Sequence, residues 1–175
     1  ASLAGLRAAE SLRAEGFDGT LTIVGEEPVA PYDRPPLSKQ VLAGDWEPDR
    51  AALATVGGPD LAADWRLGVR ATGLDLGDRR LHLSDGTPLP FDGLVIATGA
   101  QARRLPLAAD ATGMHVVRTL ADCLALKADL DAVPQRVVVI GAGFIGAEVA
   151  ATARRRGLPV TLVEALPVPL GRVLG

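Results

Sequence analysis

The chain has 175 residues, 48% hydrophobic and 22% charged, enough apolar material for one ordinary domain or two lean ones rather than a disordered tail. Its net charge of −3 and 3% aromatic content lack the basic footprint and stacking rings of a nucleic-acid binder, so no nucleic-acid partner is expected. Cys123 is the single cysteine, which excludes an internal disulfide, a redox thiol pair and a cysteine metal cage.

In chain order, residues 2–15 carry Leu3, Leu6, Ala9 and Leu12 at helical spacing, with Gly16 as the stop. Residues 20–24 (TLTIV) read as a strand that ends at Gly25-Glu26. The proline-dense run 28–38 is expected to be an extended, rigid loop and neither helix nor central strand, with a short helix beginning near Ser38. Residues 47–64 are weakly patterned, with Gly57-Gly58-Pro59 marking a turn.

Three strands are then expected at 69–76, 80–83 and 89–98, the last two joined by an Asp85-Gly86 hairpin. The continuous apolar run 94–98 (LVIAT) suits a strand covered on both faces. Residues 101–113 form an irregular link, 115–117 look extended, and 120–130 form an amphipathic helix. The opening pattern then restarts: strand 136–140, a glycine-rich turn, helix 147–156 closed by Gly157, and strand 160–164. The longest apolar stretch, 137–147, is too short to span a bilayer, and no secretory leader is present, so a cytoplasmic protein without membrane contact is expected.

The 136–164 unit carries the clearest chemistry. Strand, Gly141-x-Gly143-x-x-Gly146, helix, strand and acid fall in order within 29 residues. Gly141 permits the tight turn, Gly143 admits a pyrophosphate to the backbone, and Gly146 lets helix pack on strand. The phosphates would sit at the helix N-terminus, where N–H groups and the dipole favour anions. Glu164, 23 residues after Gly141, would accept hydrogen bonds from a ribose diol and repel the 2′-phosphate of NADP, so NADH is preferred over NADPH. Residues 1–26 repeat the device with Gly5 in the third-glycine position, Ser2 in the second and Glu26 as the acid; the first glycine and first strand are expected upstream of residue 1. Gly5 to Glu26 spans 21 residues against 18 from Gly146 to Glu164. Two such units imply one flavin and one nicotinamide cofactor.

The stretches ASLAGLRAAESLR (1–13), LTIVGEE (21–27), PYDRPPLSK (31–39), LHLSDGTPLPFDGLVIATGA (81–100), VVRT (116–119) and VVVIGAGFIGAEVAATARRRG (137–157) together resemble the FAD-dependent pyridine nucleotide-disulfide oxidoreductase superfamily. The resemblance is to its NADH-dependent ferredoxin reductase branch, which serves oxygenases and cytochromes P450. PYDRPPLSK is the most specific of these, and the chain would be an N-terminal part of such a protein. The resemblance implies an α/β fold with two incomplete Rossmann-like domains, an FAD domain over 1–118 and the start of an NAD(P) domain over 119–175, with a small antiparallel excursion.

The resemblance further implies that Ser2, Ala4 and Gly5 lie along the FAD pyrophosphate and that Glu26 holds the adenosine ribose. Arg34 and Lys39 would reach the FAD, Lys39 close to the flavin ring. Val69 would meet the adenine through its backbone, Gly99 would close against the cofactor, and Arg118 would contact it. Glu148 would pair with Lys39 at the catalytic centre. Ser2 departs from the family's usual glycine. Disulfide reductases of this fold carry cysteine where this chain has Pro31 to Lys39, so electrons would leave the flavin directly for a ferredoxin- or rubredoxin-type partner. Two other readings remain: the flavin-binding part of an assimilatory nitrite reductase, and a non-catalytic module of the apoptosis-inducing-factor type. Cys123 is expected to be a small buried hydrophobe, and His82 and His115 are assigned no metal or other role.

Overall fold

The structure is a computed structural model that describes residues 1–54, 61–105 and 111–171; the expected turn at Gly57-Gly58-Pro59 lies outside them. The described residues form two compact units, one of residues 1–33 and 52–100, the other of 34–51 and 101 onward.

In the first unit, helix α1 (Leu3–Ala14) leads into strand β1 (Leu21–Gly25). Leu6 and Ala9, one turn apart on α1, are buried with Ile23 and Leu61 in one apolar cluster. That spacing puts them on one face, so the helix lies against the strand pair through an apolar stripe. Strand β1 pairs in parallel with β2 (Ala63–Leu67), from Leu21 opposite Ala63 to Gly25 opposite Leu67. Strands β3 (Ala71–Asp75), β4 (Arg80–Leu83) and β5 (Pro88–Pro90) form the expected antiparallel meander. Its second turn has Gly86 at φ +83° and the Asp85 carboxylate accepting from Thr87 N–H at 2.9 Å. Glycine is needed there because φ > 0 is costly for a residue with a Cβ.

In the second unit a 3-10 turn (Pro35–Ser38) runs into the single-turn helix α2 (Gln40–Ala43). Both pack against α3 (Leu120–Asp131) and α4 (Phe144–Arg155). Leu37, Val41, Leu42, Cys123, Val149 and Ala153 are buried there. Strand β6 (Val137–Ile140) pairs in parallel with β7 (Val160–Val163), joined by α4. Among the described residues the architecture is thus α/β, with two parallel strand pairs and one small antiparallel sheet.

The repeat seen in the sequence is a repeat of geometry. Helices α1 and α4 both have 12 residues and both start after an extended N-cap, Ser2 and Gly143. Both end in a Schellman motif. Gly16 N–H donates to Arg13 O and Phe17 N–H to Leu12 O; Gly157 N–H donates to Arg154 O and Leu158 N–H to Ala153 O. The different spacings to the terminal acid therefore arise after the helix, chiefly in the longer turn before β1 and partly in the longer strand itself. Arg13 braces the longer turn, donating to Phe17 O at 2.6 Å, Gly19 O at 2.9 Å, Leu61 O at 3.0 Å and Ala62 O at 2.8 Å.

Several expectations need correcting. The proline run is not wholly extended: Pro35 and Pro36 open a 3-10 turn, because proline's fixed φ and missing N–H are compatible with a first helical turn. Strand β2 straddles the end of the weakly patterned stretch 47–64 and the following residues, for which no element is expected; its apolar character comes mainly from Trp65 and Leu67. The strand expected over 89–98 is paired only at 88–90. Beyond it, Val95 and Ile96 are 61% and 70% exposed, so the run is not covered on both faces; no ladder partner stands beside it among the described residues, and a strand exists only through such pairing. Residues 115–117 form no strand for the same reason. Helix α4 begins at Phe144 rather than Ala147, because the glycine-rich turn supplies its first turn.

Candidate functional site

The glycine-rich turn is built as its spacing requires. Gly141 has φ +100°, a conformation that disfavours any side chain. A Cβ on Gly146 would lie 1.9 Å from Gly141 O, so α4 reaches the turn only because position 146 is bare. A Cβ on Gly143 would meet nothing within 4 Å; the space over this N-cap is open to a ligand. Neither α1 nor α4 has a side-chain cap or an acidic residue in its first turn. Helix α3, by contrast, closes its own N-terminus with a capping box, Thr119 accepting from Asp122 N–H and the Asp122 carboxylate from Thr119 N–H. The two glycine-unit helices leave their N-terminal N–H groups to another acceptor, which is what an anion site requires.

Glu164 follows β7 and faces the turn. Its carboxylate accepts Ala142 N–H at 2.6 Å and Leu166 N–H at 3.0 Å. Ala142 is held on its other side as well, its carbonyl accepting Leu170 N–H at 3.1 Å. An ionised carboxylate has about four acceptor positions, so these bonds are compatible with a ribose diol.

In the first unit Ser2 occupies the N-cap that Gly143 occupies in the second, and Gly5 stands three residues on, as Gly146 does. The steric demand differs, since a Cβ on Gly5 would make only an ordinary 3.8 Å contact with Ala97 Cβ. Ala4 is exposed in the first turn. Glu26 pairs with Arg70 at 3.2 Å. Val69 N–H donates to Gly25 O at 2.9 Å, tying the loop after β2 to the end of β1. Gly99 is exposed with φ +71°.

In the second unit Lys39 Nζ lies 2.9 Å from Glu148 Oε2, and Ser38 Oγ donates to the same oxygen at 2.5 Å. The Ser38 hydroxyl and then the Lys39 ammonium hold the Glu148 carboxyl below its usual 4.5. Arg34 donates to Arg118 O, and Arg118 N–H donates to the Asp122 carboxylate at 3.2 Å. The structure thus brings together Lys39 with Glu148, Arg34 with Arg118, and Glu164 with the glycine-rich turn. The sequence reading missed Arg70, Ser38 and Thr152. The signal for Thr152 was its position four residues after Glu148, on the same face of α4.

Cys123 is buried, with Sγ donating to Leu37 O at 3.1 Å, and burial pushes the thiol up to about 11. It is the inert, packed cysteine expected. His115 Nε2 lies 2.6 Å from Asp129 Oδ2, a carboxylate partner that sequence spacing did not reveal. No group of three or more potential metal ligands occurs among the described residues, and no helix there is long and apolar enough to cross a membrane.

An open-capped helix between two parallel strands, a glycine turn that excludes side chains and a terminal acid facing it define a dinucleotide-binding α/β unit; residues 136–164 carry it in full, and residues 1–26 carry its helix, following strand and terminal acid. The chain belongs to the pyridine nucleotide-disulphide oxidoreductase family, which it matches over residues 1–175. It is 46% identical over 176 residues to the rhodocoxin reductase of Rhodococcus erythropolis, covering 98% of this chain and 40% of that protein. It is 43% identical to the biphenyl dioxygenase system ferredoxin--NAD(+) reductase component of Paraburkholderia xenovorans, covering 100% of this chain and 43% of that one. The reductase of the covalent putidaredoxin reductase–putidaredoxin complex superposes with a TM-score of 0.91 at 38% identity, over 99% of this chain and 43% of its own. The chain therefore spans about two fifths of the length of the relatives it matches.

Proposed function

We propose that this chain is part of an FAD-dependent, NADH-oxidising ferredoxin reductase of the cytoplasm. The protein takes hydride from NADH onto FAD and passes electrons to a ferredoxin- or rubredoxin-type iron–sulfur protein. The observation that carries the reading is the Lys39–Glu148 ion pair, which joins the most specific sequence motif to the glycine-unit helix. The names of the relatives at 46% and 43% identity support the same reaction.

The flavin, when bound, supplies the conversion of a two-electron hydride into single electrons; the chain's residues hold and orient. Ser2, Ala4 and Gly5 offer the first turn of α1 to the FAD pyrophosphate, and Glu26, backed by Arg70, takes the adenosine ribose. Val69, whose N–H is engaged by Gly25, offers its carbonyl edge to the adenine, and Gly99 closes against the cofactor without a side chain. Arg34, Lys39 and Arg118 are the cationic contacts. Gly141, Gly143 and Gly146 take the NADH pyrophosphate and Glu164 its ribose diol. Glu148 keeps the Lys39 ammonium in one place and charge-balanced. Cys123, buried and with its thiolate suppressed, offers no thiol relay, so the electrons leave by direct transfer.

The test is FAD binding and steady-state NADH oxidation by the intact protein, with ferricyanide and then a ferredoxin as acceptor. Turnover with both is expected. FAD binding without turnover to either acceptor would sink the reading.

A further inference from the structure

Helix α4 grips residue 38 at two points. Glu148 accepts the Ser38 hydroxyl at 2.5 Å, and one turn later the Thr152 hydroxyl donates to Ser38 O at 3.0 Å. Both partners are almost fully buried, Ser38 at 4% and Thr152 at 3% exposure. A second contact from Ser38 Oγ, to Pro35 O, is longer at 3.4 Å. A hydroxyl has one proton to donate, so the shorter, charge-assisted bond to Glu148 takes it. The next residue is Lys39, whose ammonium meets the same Glu148 oxygen. Two donors from adjacent residues, one hydroxyl and one ammonium, thus converge on one carboxylate oxygen, while a second hydroxyl, that of Thr152, fixes the peptide between them.

We infer that Ser38 and Thr152 are positioning residues: they latch the end of the 3-10 turn to α4 and thereby set the rotamer of Glu148 and the reach of Lys39. The inference rests on the proposed reductase reading for its consequence, but the latch is a property of the chain itself. The exposed ends of Lys39 and Glu148, at 39% and 32%, have water as an alternative partner, and an exposed ion pair alone holds two long side chains weakly. The buried hydroxyls are cut off from water, and Ser38 has only the long 3.4 Å contact to Pro35 O in reserve. An unmade bond there leaves a desolvated polar group, so the latch biases the pair toward a single geometry. Thr152 acts on the backbone and Ser38 on the carboxylate, and the two are separable by mutation.

The experiment compares Ser38→Ala, Ser38→Thr and Thr152→Val in the intact protein. The Glu148 carboxyl is titrated by carbon-13 NMR without cofactor, and NADH-driven flavin reduction is followed by stopped flow. In Ser38→Ala the Glu148 midpoint should rise toward its usual 4.5 and flavin reduction should slow roughly tenfold, with the NADH dissociation constant unchanged. Ser38→Thr should restore both. Thr152→Val should slow reduction while moving the titration less. An unmoved Glu148 midpoint in Ser38→Ala overturns the latch. A moved midpoint with parental reduction rate confines it to structure and overturns its positioning role. A parent protein that binds FAD but is not reduced by NADH removes the reductase reading, and the positioning role with it. If Ser38→Ala fails to fold, Ser38→Cys, which keeps a donor at the same atom position in a slightly larger and weaker form, must raise the midpoint for the inference to stand.

Discussion

Replacing Gly146 by alanine tests the central steric claim. The new Cβ would lie 1.9 Å from Gly141 O, and real Cβ atoms essentially never come within 3.0 Å of a neighbour. Helix and turn must therefore separate by about an ångström. The obstacle is a backbone carbonyl in a turn already fixed by Gly141 at φ +100°, so no flexible side chain can yield. Overpacking of this kind costs about 1–3 kcal/mol, and a backbone clash belongs at the upper end, about 3 kcal/mol. With a urea m-value of ~1–3 kcal/mol/M, the unfolding midpoint should fall by about 1 M or more. Gly143→Ala is the matched control. Its Cβ meets nothing within 4 Å and its φ of −76° is ordinary, so stability should stay within about 1 kcal/mol of the parent. Yet the methyl would fill the space proposed for a pyrophosphate, and NADH affinity should drop at least about tenfold. Urea unfolding and NADH titration by fluorescence measure the two effects. A Gly146→Ala protein with the parental midpoint would refute the steric argument, and a Gly143→Ala protein with full NADH affinity would refute the site.

Three further outcomes are expected. Cys123, with its thiol raised to about 11, should resist Ellman's reagent at pH 8 in the native protein and react stoichiometrically in denaturant; rapid native labelling would contradict its burial. Asp131 is held below its usual 3.8 by the Lys127 ammonium and then by the Arg156 guanidinium. A depressed folded pKa means its stabilisation is fully present above 3.8 and is lost as the pH falls through the lower folded value. Parent and Asp131→Asn melting curves should therefore differ at neutral pH and converge in acid; a gap that persists below the folded pKa would argue against the pairing. Glu164→Ala should shift the ratio of kcat/KM for NADH and NADPH toward NADPH, and an unchanged ratio would count against its place at the ribose.

How much of this was legible in the sequence depended on whether the cause was local. Helices α1 and α4, their glycine stops and the turn at Gly141 are each dictated within a few residues, by apolar spacing and by positions that exclude a Cβ. The hairpin at Asp85-Gly86 is local in the same sense. Strand β2 is not: its identity comes from β1, some 40 residues away, and its own residues alternate weakly. The segment at 94–98 shows the converse. Its β-rich composition promised a strand, but composition supplies no ladder partner. In the candidate site, Glu164 and the glycines followed from spacing. Lys39 and Glu148 lie 109 residues apart, and only family resemblance suggested that they meet. Ser38, Thr152 and Arg70 went unremarked because a hydroxyl or a guanidinium has no periodicity; its role is set by what the fold brings within 3 Å or so.

The bond from Ala142 N–H to Glu164 has a consequence for redesign. The acid proposed to choose between the two nicotinamide cofactors also braces the turn proposed to hold them. Cofactor choice and turn rigidity are therefore not independent variables in this chain. Removing the carboxylate to admit a 2′-phosphate also strips an acceptor from a nearly buried N–H, so affinity for either cofactor should weaken before selectivity is gained. A useful switch would have to keep an oxygen at Ala142 while discarding the negative charge, as Glu164→Gln does, and bring in the cation from another position.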